Sequence, residues 1–159
     1  MTKILMIKIN VIVDDKRWFR FIKYPENHFK KKIKSIQNDK FFKKKKKFNF
    51  SILLSNANVI RVLNKKFRKK DKSTDVLSFP FYEKQKLQQV IKKNKDIYLG
   101  DIIINFSEIK KNSRKKSFIK LLDKLLVHAL LHLFGYKHKR NLDYKKMNIL
   151  EKKFLNKLT

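Results

Sequence analysis

His128, His132 and His138 lie within eleven residues, in the stretch His128-Ala129-Leu130-Leu131-His132-Leu133-Phe134-Gly135-Tyr136-Lys137-His138, spaced H-x3-H-x2-G-x2-H. Residues four apart on a helix share one face, with Cβ atoms about 5–6 Å from each other. Both imidazoles can then reach one ion at about 2.0–2.1 Å. Gly135 stands where a left-handed residue would end the helix and turn the chain back, so that His138 meets the same point from outside. Three neutral imidazoles without a fourth protein ligand are the donor set of a catalytic zinc, with the open position left to water or substrate. The alternative is a group of core histidines satisfied by hydrogen bonds. The segment Ile119 to Phe134 is apolar nearly all round and belongs in the interior, where unpartnered imidazoles cost free energy. The clustering, with a glycine at the turn, favours the metal. The fourth histidine, His28, is isolated in polar sequence and is read as an ordinary side chain.

The elements that must position these residues follow from patterning. Ile7, Ile9, Val11 and Val13 alternate as in a half-buried strand, and the N-terminal segment Met1 to Val13 is too broken by polar residues to be a leader or a membrane span. Residues 15–37 form an irregular helical region with Trp18, Phe21 and Ile22 turned to the core and Pro25 as a break. Phe48, Phe50, Ile52 and Leu54 predict a second strand. Ser55 or Asn56 caps a helix through Arg68, with Val59, Ile60, Leu63 and Phe67 on one face. Val76, Leu77, Phe79 and Phe81 predict a third strand ending at Pro80 or lying at an edge. Residues 82–96 are polar and lysine-rich and read as a loop. Leu99 to Asn105 is a fourth strand. Asn105 or Ser107 caps a short helix, the histidine helix follows, and residues 142–158 form a last amphipathic helix. The expected fold is a single α+β domain over 1–159, a mixed sheet of about four strands packed against a central apolar helix and several flanking helices.

Cysteine is absent, which excludes disulfides and thiolate ligands and leaves histidine as the soft-metal ligand. The formal charge of +30 favours a polyanionic partner such as RNA. Much of it is lysine rather than arginine, accompanied by abundant Ile, Asn and Phe, as AT-rich coding would produce. The run Lys43 to Lys47 therefore reads as a solvated loop rather than a dedicated RNA patch.

Two further segments join the histidines: R-K-K-D-K-S-T-D-V-L-S-F-P-F from Arg68 to Phe81, and L-G-D-I-I-I from Leu99 to Ile104. Together the three resemble the bacterial YbeY family of small metal-dependent endoribonucleases and ribosomal RNA maturation factors. That family's signature H-G-x-L-H-L-x-G-Y-D-H is matched here by H-A-L-L-H-L-F-G-Y-K-H, and the resemblance runs from about Phe48 to the end. It implies one Zn2+ per chain on His128, His132 and His138, and Arg68 as the residue required for cleavage. Arg68, Lys69, Lys70 and Lys72 would contact RNA. It further implies single-strand-specific cleavage in maturing the 3′ end of small-subunit ribosomal RNA, a part in ribosome quality control, and a cytoplasmic location with no membrane. The partners implied are ribosomal RNA, the small subunit, and a ribosomal protein or GTPase.

Three positions depart from the family pattern. Ala129 replaces a usual Gly, Lys137 replaces an Asp that could orient a ligand, and Ser73 replaces a Pro in a turn. Asp101 and Glu108 are candidate bases only by their proximity to the expected cleft, and Asp101 and Asp75 could equally hold turns. Two other functions compete. The histidine spacing matches the metzincin proteases, but their general-base glutamate would stand at Ala129. A ribosome-associated, non-catalytic factor with a structural zinc would share the histidines and the charge.

Overall fold

Ile7 and Ile9 point inward from β1 (Ile7–Val13), while Lys8 and Asn10 face out. Phe48, Phe50, Ile52 and Leu54 do the same from β2 (Lys47–Ser55). A period of two places one side of each strand in the core. β3 (Val76–Pro80) and β4 (Asp96–Asn105) complete a sheet of order β1-β2-β4-β3, in which β1, β2 and β4 are parallel and β3 is antiparallel to β4 at the edge. This computed structural model describes residues 7–42, 45–113 and 117–158; Met1–Met6 of the N-terminal segment and Lys43 and Lys44 of the lysine run lie outside them.

Helices α1 (Pro25–Ile36), α5 (Phe118–Leu133) and α6 (Asn141–Leu158) cover one face of the sheet, and α2 (Ala57–Arg68) covers the other. The main core joins Phe29, Phe50, Ile52, Ile102, Leu126, Leu130 and Phe154, and a smaller one holds Ile60, Leu77 and Ile103 beneath α2. The described residues make a single α+β domain, as the patterning predicts. The histidine helix α5 is central because it is apolar on most sides and has sheet on one side and α6 on another.

Where the sequence offered two caps, the asparagine takes the role each time. The Asn56 side-chain oxygen accepts from the Asn58 and Val59 N–H groups, and that of Asn105 accepts from Ser107 N at the start of α4 (Phe106–Asn112). Asn105 Nδ2 also donates to Ser73 Oγ (2.9 Å) and Thr74 O (3.0 Å). The hydroxyl of Ser73 thus ties the turn that proline would otherwise stiffen.

Two expectations are corrected. Residues 82–96 are not a loop throughout, since α3 (Lys84–Lys93) occupies most of them and buries Leu87 and Ile91, four apart on one face. Lysines on its other sides masked that short period in the sequence. Phe21 is 39% exposed rather than in the core, and Phe67, on the apolar face of α2, is 58% exposed. Phe21 stacks on Phe118 and Phe67 meets Phe79 edge-on, so each covers a core margin. The break expected at Pro25 is found: the first helical region divides there into a short 3-10 helix (Lys16–Arg20) and α1, with proline in the first helical turn, where its missing N–H costs nothing.

Asp39, just beyond α1, ties this region to α6, accepting from Lys153 Nζ (2.7 Å) and Lys157 Nζ (2.5 Å) with its own side chain only 3% exposed. Burial pushes its carboxyl up, but the two lysines and the Phe41 N–H outweigh that and hold it well below the usual carboxylate range. A carboxyl depressed on folding contributes stability above its unfolded pKa of about 3.9 and loses that contribution as pH falls through the folded value. Asp39→Asn should therefore lower the unfolding free energy by about 1–2 kcal/mol at pH 7, the lysines being well exposed. In urea titrations the gap between variant and parent should close progressively below about pH 4; a gap independent of pH would assign the loss to packing instead.

Candidate metal centre

Helix α5 runs beneath the edge strand, where Ser78 Oγ donates to Ala129 O at 3.0 Å. Ala129 is fully buried, so its methyl group fits where the family pattern has glycine. The helix ends at Leu133. Gly135 then takes φ +87°, its N–H donating to His132 O (2.9 Å), while Tyr136 N donates to Leu131 O (3.1 Å). This left-handed turn is the one the spacing requires, and it is tightly packed: a Cβ at Gly135 would lie 2.8 Å from Lys84 Cβ in the first turn of α3. The chain doubles back and brings His138 to the other two. One ring nitrogen from each of the three lies within 4.8 Å of the others.

The outer nitrogens settle which lone pairs point inward. His128 Nδ1 lies 2.5 Å from Glu151 Oε1, and His132 Nδ1 lies 2.8 Å from Tyr136 O. A carboxylate and a carbonyl only accept, so each Nδ1 carries its proton. In the neutral rings both Nε2 atoms are then bare lone pairs, and they face one another at 2.9 Å. Two acceptors in that position repel unless a cation lies between them. Nitrogens on one tetrahedral ion are about 3.3–3.4 Å apart at zinc–nitrogen lengths, so a small outward movement admits the ion. Burial above all, then the neighbouring His128, lowers His132 to about 4, and the charges of His138 and Arg68 add to this against the Tyr136 carbonyl. His132 is therefore neutral near pH 7, the state a metal ligand needs. The donor set, its protonation and its convergence fit a divalent ion.

Arg68 reaches this centre from the other layer. Lys69, at φ +57°, ends α2, and the buried Asn64 donates through Nδ2 to Lys72 O (2.8 Å), pinning the loop that follows. Arg68 Nη2 donates to Ser78 O (3.1 Å) across the edge strand. Arg68 and His132 line the same cavity of about 370 Å³, together with Phe81, Glu83, Tyr136 and Lys137. Lys69, Lys70 and Lys72 are exposed on the loop beside Arg68 and do not wall that cavity among the described residues.

Neither carboxylate considered as a base lines it. Asp101 accepts from Tyr98 Oη on the α2 face of the sheet, and Glu108 lies in a separate cleft beside α4. Asp75 accepts from Val76 N and Thr74 Oγ1 and so holds its own turn. His28, on α1, is no part of the cluster. Sequence reasoning missed Glu151 and Glu83. Glu151 follows His128 by 23 residues on a different helix, and no motif spacing links them.

Fold and site together define a small α+β protein with three histidines placed to bind a metal ion. A family model described as Endoribonuclease YbeY matches residues 14–159, and the chain belongs to the YbeY family. It is 40% identical over 149 residues to Endoribonuclease YbeY of Pelagibacter ubique (strain HTCC1062), covering 89% of this chain and 90% of that one. It is 33% identical over 160 residues to Endoribonuclease YbeY of Wolbachia sp. subsp. Drosophila simulans (strain wRi), covering 96% and 95%. The solution structure of TM1509 from Thermotoga maritima shares the fold, with a TM-score of 0.58 at 24% identity over 95% of this chain and 89% of that one.

If Glu151 fixes His128, Glu151→Ala should weaken zinc binding about 10–100-fold in competition with a chromophoric chelator, with the far-UV spectrum unchanged. An affinity within twofold of the parent would show that His128 is held without it.

Proposed function

We propose that this chain is a zinc-dependent endoribonuclease for single-stranded RNA, acting in maturation of the 3′ end of small-subunit ribosomal RNA. The relatives' name supports the reaction class. The observation that carries it to this site is the shared cavity, which Arg68 lines together with His132, one of the three clustered imidazoles.

The roles follow from the chemistry of the groups. His128, His132 and His138 would hold the ion, which when bound supplies a Lewis acid for a phosphoryl oxygen and the reacting water. Glu151 and the Tyr136 carbonyl orient two of the rings and fix their tautomers. Arg68 donates to the Ser78 carbonyl and lines the cavity, and it would stabilise charge gathering on the phosphate with a delocalised cation. The lysines around the cavity, with Lys69, Lys70 and Lys72 beside it, would hold the RNA backbone with strong salt dependence.

Peptide hydrolysis lacks its base. The position after His128, where metzincin proteases carry a general-base glutamate, is the buried Ala129. Among the described residues no helix is long and apolar enough to cross a membrane. A cytoplasmic setting, a part in ribosome quality control, and a ribosomal protein or GTPase as partner belong to the same proposal.

The test is cleavage of an end-labelled single-stranded fragment from the 3′ region of small-subunit ribosomal RNA by parent, His132→Ala and Arg68→Ala proteins purified in parallel. Both variants should lose about 10²-fold or more in rate, and Arg68→Ala should keep its zinc. Equal cleavage by all three would mark a contaminating nuclease and leave a non-catalytic ribosome-binding role.

A further inference from the structure

Beyond the metal cluster, the cavity carries features that phosphate chemistry does not use. Phe81 forms part of its rim and is 62% exposed. Tyr82 and Tyr98 meet Phe81 edge-on, at 84° and 74°, so neither lies parallel to it as a stacked ring would. The backbone of Phe81 is paired to the neighbouring strand. Its N–H donates to Leu99 O at 2.8 Å, extending the edge pairing past Pro80. Gly100, at φ +133°, lets that backbone come so close that a Cβ there would lie 2.1 Å from Phe79 O and 3.0 Å from Phe81 N.

The same cavity shares Lys84, Gly135, Tyr136 and Lys137 with a smaller one of about 180 Å³ that Lys146 and Asp143 also line, so lysines outnumber the single acid there. The two adjoin at these residues and are taken together as a groove, with Arg68 and His132 lining only the larger part. Lys84 Nζ sits 5.1 Å from the centre of the Tyr136 ring, which holds that ammonium in the groove. Lys137 is exposed on the groove wall. An aromatic side chain 62% exposed at the rim of a lysine-rich surface matches a chain of alternating flat bases and phosphates.

We propose that Phe81 is a base-stacking platform for an unpaired nucleobase next to the scissile phosphate, with Lys84, Lys137 and Lys146 tracking the phosphates beyond. This rests on the RNA-cleaving reading and adds a site to it. Glu83, on the same cavity wall, offers an acceptor to a base N–H. A base paired in a duplex already has its faces covered, so the platform selects single strands. Lys137, where the family pattern has an acid, then serves the substrate backbone.

The test pairs protein and RNA changes. Binding of fluorescein-labelled single-stranded RNA to the zinc-loaded protein is read by anisotropy before cleavage is detectable on a gel. The RNAs carry an abasic nucleotide at successive positions around the mapped scission. Phe81→Ala and Phe81→Leu should weaken binding of intact RNA about tenfold, and Phe81→Tyr less than twofold. One abasic position should cost the parent protein a similar factor and cost Phe81→Ala nothing further. If Phe81→Ala binds like the parent, or if the abasic penalty survives in that variant, the stacking site is overturned while the nuclease reading stands. If the parent neither binds nor cleaves RNA, both fall together.

Discussion

Burying helix α5 against the sheet constrains every imidazole it carries. A partly buried ring must place its enclosed nitrogens on partners or lose free energy. Here each outer nitrogen has one, the Glu151 carboxylate for His128 and the Tyr136 carbonyl for His132. Those partners turn the inner lone pairs toward one point, where they repel without a cation. The turn at Gly135, which delivers both the Tyr136 carbonyl and His138, is thus part of the same constraint. So is α6, because it brings Glu151.

Acids are scarce in this chain, with 13 against 43 lysines and arginines, and three of them join the helices on one face of the sheet in pairs. Asp123 on α5 accepts from Lys32 on α1 at 2.7 Å. Asp39 after α1 accepts from Lys153 and Lys157 on α6, and Glu151 on α6 accepts from His128 on α5. Ion pairs with one buried member add little net stability, since desolvation offsets much of the attraction, but breaking one leaves a buried charge unpaired. Their effect is to fix how α1, α5 and α6 sit on one another, and with that the angle at which Glu151 meets its imidazole. With acids engaged this way, much of the surface is left to lysine.

The edge strand β3 links the two layers of the site. Ser78 donates through its hydroxyl to α5 beneath and accepts through its carbonyl from Arg68 above. One residue thereby sets the guanidinium relative to the histidine helix, although α2 and α5 pack on opposite faces of the sheet. An edge position makes this possible, because a side chain can pass around the last strand but not through the sheet.

Local chemistry was legible in the sequence where neighbours in the chain are neighbours in space. The period of two in β1 and β2, the asparagine caps of α2 and α4, the helical His128–His132 pair and the glycine turn that returns His138 all act over a few residues. Family resemblance supplied Arg68, whose side chain by itself reads as an exposed charge at a helix end. Helix α3 escaped notice because two buried residues among lysines make a weak period. Glu151, Ser78 and the groove wall formed by Lys84 depended on the tertiary structure, since their partners lie on other elements. No spacing rule reaches across 23 residues and a reversal of the chain. The sequence alone determined which residues could bind a metal. Packing decided which of their nitrogens face inward, because protons and lone pairs are placed by partners that only the folded chain brings near.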